Sequence, residues 1–445
     1  MGVNELQREI QVNEKLPFGP GLLLSLQHLF AMFGSTVLVP NLFGVDPGMI
    51  LLMNGIGTLL YILICRAKIP AYLGSSFAFI SPVLAVLGNN PKENYPLALG
   101  AFIITGIIFV IVGLIVQFAG TSWIDVVFPP AAMGAIVATI GLELVPTAAG
   151  MAGLLPKADA ASGAMTYDMN SIILSMTTLG VTVIGAVLFR GFPKIIHILI
   201  GIVVGYVLSF FMPGMVNKDA IASAHFFTMP TVTTPSWNWA AIATIIPVSL
   251  VVIVEHIGHL LVTSNIVGKD LSKDPGLNRS LLGNGISTIL SGFVGSTPNT
   301  TYGENIGVMA LTKVYSVFVI GGAAVIAILL SFSGTVSSVI SNIPTPVMGG
   351  VSLLLFGVIA ASGLRIFVEQ KVDFSKPTNM ILATLVLVVG ISGVQLNIWH
   401  VQLKGMALAT IVGIVLSLFF KLIEVTGLSN EPGGKEQELV EKIPD

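Results

Sequence analysis

The chain has 445 residues, 54% of them apolar and only 9% charged, a balance that cannot be wrapped around a water-soluble core and so excludes a soluble domain. This is the composition of a polytopic membrane protein. A net charge of -2 identifies no partner, and the single cysteine, Cys65, excludes an internal disulfide.

In chain order, the first residues carry Glu5, Arg8, Glu9, Glu14 and Lys15 with no apolar core or small-residue cleavage site, so no removable signal peptide is expected. Fourteen apolar stretches follow, centred near His28, Gly57, Val83, Ile107, Val137, Val183, Gly201, Ile253, Ile286, Val308, Val325, Leu354, Leu387 and Val412. The third, from about Ser76 to Leu87, and the tenth, from about Glu304 to Lys313, are short. At about 1.5 Å per residue each covers roughly half the hydrocarbon thickness, as a half-helix would. The stretch from Asn430 to Asp445 reads as a solvated tail.

Loop charge alternates with these spans. One side gathers Arg8, Lys15, Arg66, Lys68, Arg190, Lys194, Lys269, Lys273, Arg279, Lys313, Arg365, Lys371, Lys376, Lys421, Lys435 and Lys442, the other only Lys92, Lys157, Lys218 and Lys404. The asymmetry predicts that both termini are cytoplasmic. The chain also repeats itself. Asn54-Gly55-Ile56-Gly57-Thr58-Leu59-Leu60 returns as Asn284-Gly285-Ile286-Ser287-Thr288-Ile289-Leu290, Pro129-Pro130-Ala131-Ala132-Met133-Gly134 as Pro344-Thr345-Pro346-Val347-Met348-Gly349, and Val204-Gly205-Tyr206-Val207-Leu208-Ser209 as Val412-Gly413-Ile414-Val415-Leu416-Ser417. All three echoes fall seven spans apart, and because seven is odd the two halves are expected to be inverted. The predicted fold class is therefore an all-α polytopic membrane protein of 14 transmembrane segments in two inverted 7-segment repeats, with half-helices and short β-strands in segments 3 and 10.

Inverted repeats with paired broken helices are the architecture of secondary transporters, whose site lies near the midplane. The breaks are marked by Pro70 with Gly74-Ser75-Ser76, and by the run from Gly295 to Gly303. Non-helical backbone at that depth survives when buried in protein, so the two stretches are expected to pair as extended segments, with both half-helix N-termini converging on one spot. Glu143, Glu255 and Glu304 are three carboxylates within the spans. Each costs roughly 2.5 to 3.5 kcal/mol at a helix centre, which makes them functional candidates. Glu143, after Gly141-Leu142, either reaches interfacial water or takes part in gating.

Glu304-Asn305-Ile306-Gly307, closed by Thr312-Lys313, resembles the signature of the nucleobase-ascorbate transporter family: an acid or amide, Asn-x-Gly, four variable residues, then Thr and a basic residue. Gln27-His28, Gly74-Ser75-Ser76-Phe77-Ala78-Phe79 and Glu255-His256-Ile257-Gly258-His259 resemble that family's bacterial uracil:proton symporters, and the likeness extends over nearly the whole chain. The resemblance implies a cytoplasmic N-terminus (1–19), a core domain from 20–120 (spans 1–4) and 241–333 (spans 8–11), a gate domain from 121–240 (spans 5–7) and 334–429 (spans 12–14), and a cytoplasmic tail (430–445). It implies uracil and a proton as partners, a homodimer through the gate domain in the inner (plasma) membrane, and no cofactor, metal, nucleic acid or catalysis. In relatives two Glu matching Glu255 and Glu304 hold the pyrimidine. The aromatic at Phe77 stacks on it, backbone N–H groups near Phe77 and Gly303 reach its carbonyls, His259 lies beside it, and His28 braces the site. Tyr302 and Phe356 complete the implied contacts, with Asn305 and Ser76 in support. Some members have Tyr at Phe356, and Phe cannot supply the hydroxyl. The first signature position separates Glu-type uracil carriers from Gln-type purine carriers, so the alternative is a xanthine or purine permease of the same fold.

The residues read by themselves agree. A pyrimidinedione presents ring N–H donors and carbonyl acceptors, complemented by a carboxylate and fixed backbone N–H groups. Glu304 at a half-helix start suits reading the substrate, whereas Glu255, mid-helix with His259 one turn along, suits carrying the coupling proton. His28 and His256 read as hydrogen-bonded structural residues. Glu255-His256-x-x-His259 has the wrong order for a zinc protease helix, and broken midplane helices favour an occluded site over a channel pore.

Overall fold

The structure is a computed structural model that describes residues 8–158, 165–398 and 401–428. The predicted tail from Asn430 to Asp445 and the N-terminal Glu5 lie outside the described residues. The chain begins with α1 (Phe18–Ala31), α2 (Phe33–Phe43) and α3 (Pro47–Ile64). Sequence periodicity predicts one helix where α1 and α2 stand, but the backbone breaks at Met32. Asp46 opens α3, its carboxylate accepting the Gly48 N–H at 2.8 Å with Pro47 at the first helical position. β1 (Leu73–Ser75) leads through a 3-10 turn, Phe77–Phe79, into α4 (Ile80–Leu87). Then come α5 (Pro91–Ala119), α6 (Ser122–Val127), α7 (Pro130–Met151), the strands β2 (Lys157–Ala158) and β3 (Met165–Thr166), and α8 (Met169–Leu188). After α9 (Phe192–Ile195), α10 (His197–Ser209) and α11 (Lys218–Ala222), the long α12 (Trp239–Val267) starts on an Asn238 cap and ends at Gly268 in the left-handed region.

The second half continues with α13 (Leu277–Val294), β4 (Asn299–Thr301) and α14 (Gly303–Thr312), which stops where Lys313 turns left-handed. α15 (Val317–Ser331), α16 (Gly334–Ser341), α17 (Thr345–Glu369), α18 (Pro377–Ile391), β5 (Gln395–Ile398), β6 (Val401–Lys404) and α19 (Gly405–Val425) complete it. Each of the predicted span centres falls inside a helix. Among the described residues, eight segments are long and apolar enough to cross a membrane by length and composition, and four shorter apolar helices accompany them. Large apolar side chains such as Phe118 (84% exposed) and Val187 (75% exposed) face outward, as lipid-facing positions do.

Of the two predicted half-helices, the tenth span starts at Gly303 and the third enters through the 3-10 turn at Phe77 and becomes α-helical at Ile80, and the extended segments before them pair antiparallel: Leu73 with Thr301, Gly74 with Thr300, Ser75 with Asn299. Two further strand pairs, β2–β3 and β5–β6, occur where loops alone are predicted. α5 and α13 meet backbone to backbone. A Cβ at Gly106 would stand 2.7 Å from the Gly285 carbonyl, and one at Gly285 2.7 Å from that of Gly106, so neither position admits a larger residue. Before α1, the chain lies along the residues after α14. Ile10 N–H donates to Lys313 O at 2.9 Å, Tyr315 N–H to Ile10 O at 2.8 Å and Val317 N–H to Val12 O at 2.9 Å, while Glu9 pairs with the Lys313 ammonium at 3.5 Å.

Candidate functional site

The site grows from how β1 and β4 are held. Thr58 on α3 accepts the Leu73 N–H at 2.9 Å, its hydroxyl 3.4 Å from the Leu73 carbonyl. Thr288 on α13 makes the same pair with Asn299, at 3.2 and 3.3 Å. Thr58 and Thr288 occupy the same position of the repeated Asn-Gly-Ile motif, so each half clamps its own strand with one buried hydroxyl. Asn299 also donates from its side chain to Ser287 Oγ at 2.7 Å and to Met53 O at 3.3 Å. Beyond the ladder Ser76 N–H reaches Pro298 O at 3.1 Å and the Ser75 and Thr297 hydroxyls meet at 2.5 Å. Non-helical backbone this deep thereby finds partners in protein.

Each end of the ladder leads into a helix start. Phe77 opens the 3-10 turn, and its ring meets that of Phe356 on α17 edge-on at 6.2 Å. Phe356 is fully buried there, and packing against Phe77 is its contact. Gly303 opens α14 and Glu304 lies in the first turn, where unpaired N–H groups and the positive helix end favour a carboxylate. Glu255 stands on α12, one turn before His259. Tyr302 gives its hydroxyl to the Ser75 carbonyl and its N–H to Tyr72 O at 3.3 Å, which binds the start of α14 to β1. Asn305 donates to His28 O at 3.1 Å and stands 3.1 Å from His28 Nδ1, tying α14 to α1. His28 thus braces the signature helix from behind.

His259 shares a face of α12 with Glu255, yet its Nδ1 lies 3.0 Å from the Thr301 hydroxyl on β4. Its Nε2 looks toward the start of α14, 3.3 Å from where a Cβ on Gly303 would stand. His256, on the neighbouring face, binds Ser280 Oγ at 2.7 Å, in keeping with a hydrogen-bonded buried imidazole. Gly307 on α14 has nothing within 4 Å of an added Cβ, so that flank of the helix adjoins open space. The structure thus gathers Phe77, Glu255, His259, Tyr302, Gly303, Glu304 and Asn305 around two helix starts, with His28, Ser76 and Phe356 behind them. Thr301 is the contact sequence reasoning missed. Its only signal was a place in the polar run before Gly303.

Glu143 lies apart from that group. On α7 it accepts from Ser81 Oγ of α4 and from the Met406 N–H at the start of α19, at 2.8 Å for the latter. A cavity of about 310 Å³ adjoins it, lined by Ser81, Thr147, Gln395 and Lys404 among others. Of the two sequence readings for Glu143, water contact or gating, the geometry adds a direct tie between three helices.

Three kinds of likeness bear on the chain. The uracil permease of Escherichia coli (strain K12) is 62% identical over 419 residues, 94% of this chain and 95% of that one. The uracil permease of Paenibacillus larvae is 59% identical over 424 residues, 95% and 99% of the two chains, and that of Bacillus caldolyticus 44% identical over 417 residues, 92% and 94%. Among solved structures, SLC26A9 superposes with a TM-score of 0.69 at 14% identity over 93% of this chain and 66% of its own. The transmembrane domain of the cyanobacterial bicarbonate transporter BicA gives 0.57 at 13% identity over 93% and 99%. At such identities those two speak for the fold alone, a fold of membrane transporters. The Permease family model matches residues 20–399, and with these relatives it shows that the chain belongs to the nucleobase-ascorbate transporter family.

Proposed function

We propose that this chain is a uracil:proton symporter that imports uracil by alternating access between a core domain (20–120 and 241–333) and a gate domain (121–240 and 334–429). One observation carries the reading: two half-helices begin at the two ends of one short antiparallel ladder, with Phe77 at one start and Gly303-Glu304 at the other. A neutral pyrimidinedione needs such an arrangement, a carboxylate for its ring N–H groups and free backbone N–H groups for its carbonyls. Glu304 reads the substrate, Phe77 covers its face, and Glu255 with His259 carries the coupling proton. The names of the relatives favour uracil over purines.

The Thr58 and Thr288 clamps support a chain of fourteen crossings in two inverted repeats, since equivalent residues grip strands that run antiparallel. The loop-charge bias supports cytoplasmic termini in the plasma membrane, and outward apolar positions on α8 and α10 are available to a homodimer through the gate domain. One proton moving through about 100 mV releases roughly 2.3 kcal/mol, enough to concentrate substrate tens-fold at one-to-one coupling. The test is uptake of labelled uracil into proteoliposomes, competed by xanthine and by bicarbonate, with and without a protonophore. Uracil competes and protonophore abolishes accumulation if the reading is right. Competition by xanthine instead makes the chain a purine permease. Glu255→Gln is expected to lose the response to a proton gradient; uptake that still follows the gradient overturns the proton assignment.

A further inference from the structure

A continuous line of hydrogen bonds leaves the candidate site through the back of α12. The Thr301 hydroxyl stands between two imidazoles, 3.0 Å from Nδ1 of His259 and 3.4 Å from Nδ1 of His256. Nε2 of His256 is 2.7 Å from Ser280 Oγ, and Ser280 Oγ is 2.6 Å from the Tyr61 hydroxyl, with the buried Cys65 thiol one turn along from Tyr61. Thr301, His256, Ser280, Tyr61 and Cys65 are each no more than 3% exposed, so water does not supply alternative partners. The rings of Tyr61 and Phe109 stand edge-on to His256 at 6.1 and 6.4 Å and hold its plane.

Proton counting restricts this line to two arrangements. A hydroxyl has one proton to give and two lone pairs; accepting from both rings would leave its own O–H unpaired, since among the described residues the two Nδ1 atoms are its hydrogen-bond partners, so Thr301 donates to one Nδ1 and accepts from the other. The tautomers of the two histidines are therefore linked. In the first arrangement Tyr61 donates to Ser280, Ser280 to His256 Nε2, His256 Nδ1–H to Thr301, and Thr301 to His259 Nδ1. The remaining proton of His259 is then on Nε2, toward Gly303. In the second every bond is reversed: His259 Nδ1–H donates to Thr301, and the line ends with Ser280 donating to the Tyr61 hydroxyl. A doubly protonated His259 must donate from Nδ1, which only the second arrangement accepts.

We propose that Tyr61, Ser280, His256 and Thr301 are positioning residues that decide which ring nitrogen of His259 carries the proton, and so whether the wall beside Gly303 offers a nucleobase a donor or an acceptor. Loading a proton on His259 reverses the line as far as Tyr61. This rests on the reading of His259 as a site residue. The titratable and charged groups around it are Glu255 and His256 on α12, Glu304 on α14, Tyr302 before it, His28 on α1 behind Asn305, and, at the far end, Tyr61 on α3 and Cys65 just after it, with Arg279 on α13, whose guanidinium reaches Ile64 O at 3.4 Å.

The test is ¹⁵N-histidine NMR of the full-length protein in lipid nanodiscs, with His256 and His259 assigned by single substitution. The proposal expects opposite Nδ1 states for the two rings and a change in both at one shared pH midpoint. Tyr61→Phe keeps the ring but removes the acceptor that the reversed line needs, so the shared midpoint moves to lower pH by roughly one to two units, the equivalent of one buried hydroxyl left without an acceptor. Thr301→Val uncouples the rings, while Thr301→Ser restores the link. A His256 tautomer that stays constant while His259 titrates in the unsubstituted protein overturns the proposal, as does an unmoved midpoint in folded Tyr61→Phe. If Tyr61→Phe fails to fold, the unsubstituted protein and the Thr301 pair decide. These readouts need no transport, so a chain that carries no uracil fails the functional proposal while the line stands or falls by itself.

Discussion

Substituting Gly74 by Ala tests how tightly the two half-helix starts are joined. A Cβ on Gly74 would stand 2.2 Å from Tyr302 Cε2 and 3.0 Å from Cζ, against roughly 3.5–4.0 Å for carbon atoms in contact. The ring would have to retreat by more than about 1 Å. It cannot do so freely, because its hydroxyl is bonded to Ser75 O and its backbone N–H to Tyr72 O. Overpacking of this kind costs about 1–3 kcal/mol, and loss of the Tyr302 hydroxyl bond adds about 1 kcal/mol. Expected is a destabilisation of about 2–4 kcal/mol, with uracil affinity falling at least tenfold as Gly303 shifts with Tyr302. Thermal unfolding in detergent and equilibrium binding measure the two effects. Gly307→Ala is the control, since nothing lies within 4 Å of its Cβ; there the helix gains about 0.8–1 kcal/mol of propensity and stability does not fall. If Gly74→Ala melts and binds as the unsubstituted protein does, the account of the ladder as a rigid support is wrong.

Thr58→Val and Thr288→Val each leave a buried strand N–H without its acceptor and are expected to cost about 1–3 kcal/mol apiece, with similar losses of binding; a large effect from only one would argue against equivalent halves. Asn305→Ala removes the donor shared by His28 O and Nδ1, and a loss of about 1–3 kcal/mol in thermal stability is expected, readable by the same melt. Ser81→Ala removes the α4 arm of the Glu143 tie while leaving the Met406 bond. A cysteine placed at Gln395 in a Cys65→Ala background should then be labelled faster by an impermeant thiol reagent. Unchanged labelling would show that Ser81 does not hold that face closed.

The half-helices were legible because polar residues interrupt apolar runs at Gly74-Ser75-Ser76 and Gly295 to Gly303, and hydrocarbon tolerates such breaks only where protein or a water-filled cavity covers them. The pairing register was not, for nothing local says that Leu73 faces Thr301. Thr301 therefore escaped notice, although it lies between two histidines that were singled out. Tyr61 and Ser280 are separated by 219 positions and become neighbours only through the packing of α3 on α13. The break at Met32 was hidden because Met is a good helix former and α1 and α2 are equally apolar. Glu143 drew attention as an acid in a span, but its partners come from α4 and α19, which spacing along α7 cannot reveal.

The ribbon that runs beside Lys313 makes the end of the signature helix a tethered point. Residues 10 to 12 are stitched to 313 to 317 by main-chain bonds, so α14 cannot slide along its axis without dragging that ribbon or tearing it off. A fluorophore at Gln11 would consequently act as a remote gauge of the helix that carries Glu304, reporting its displacement from outside the cavity.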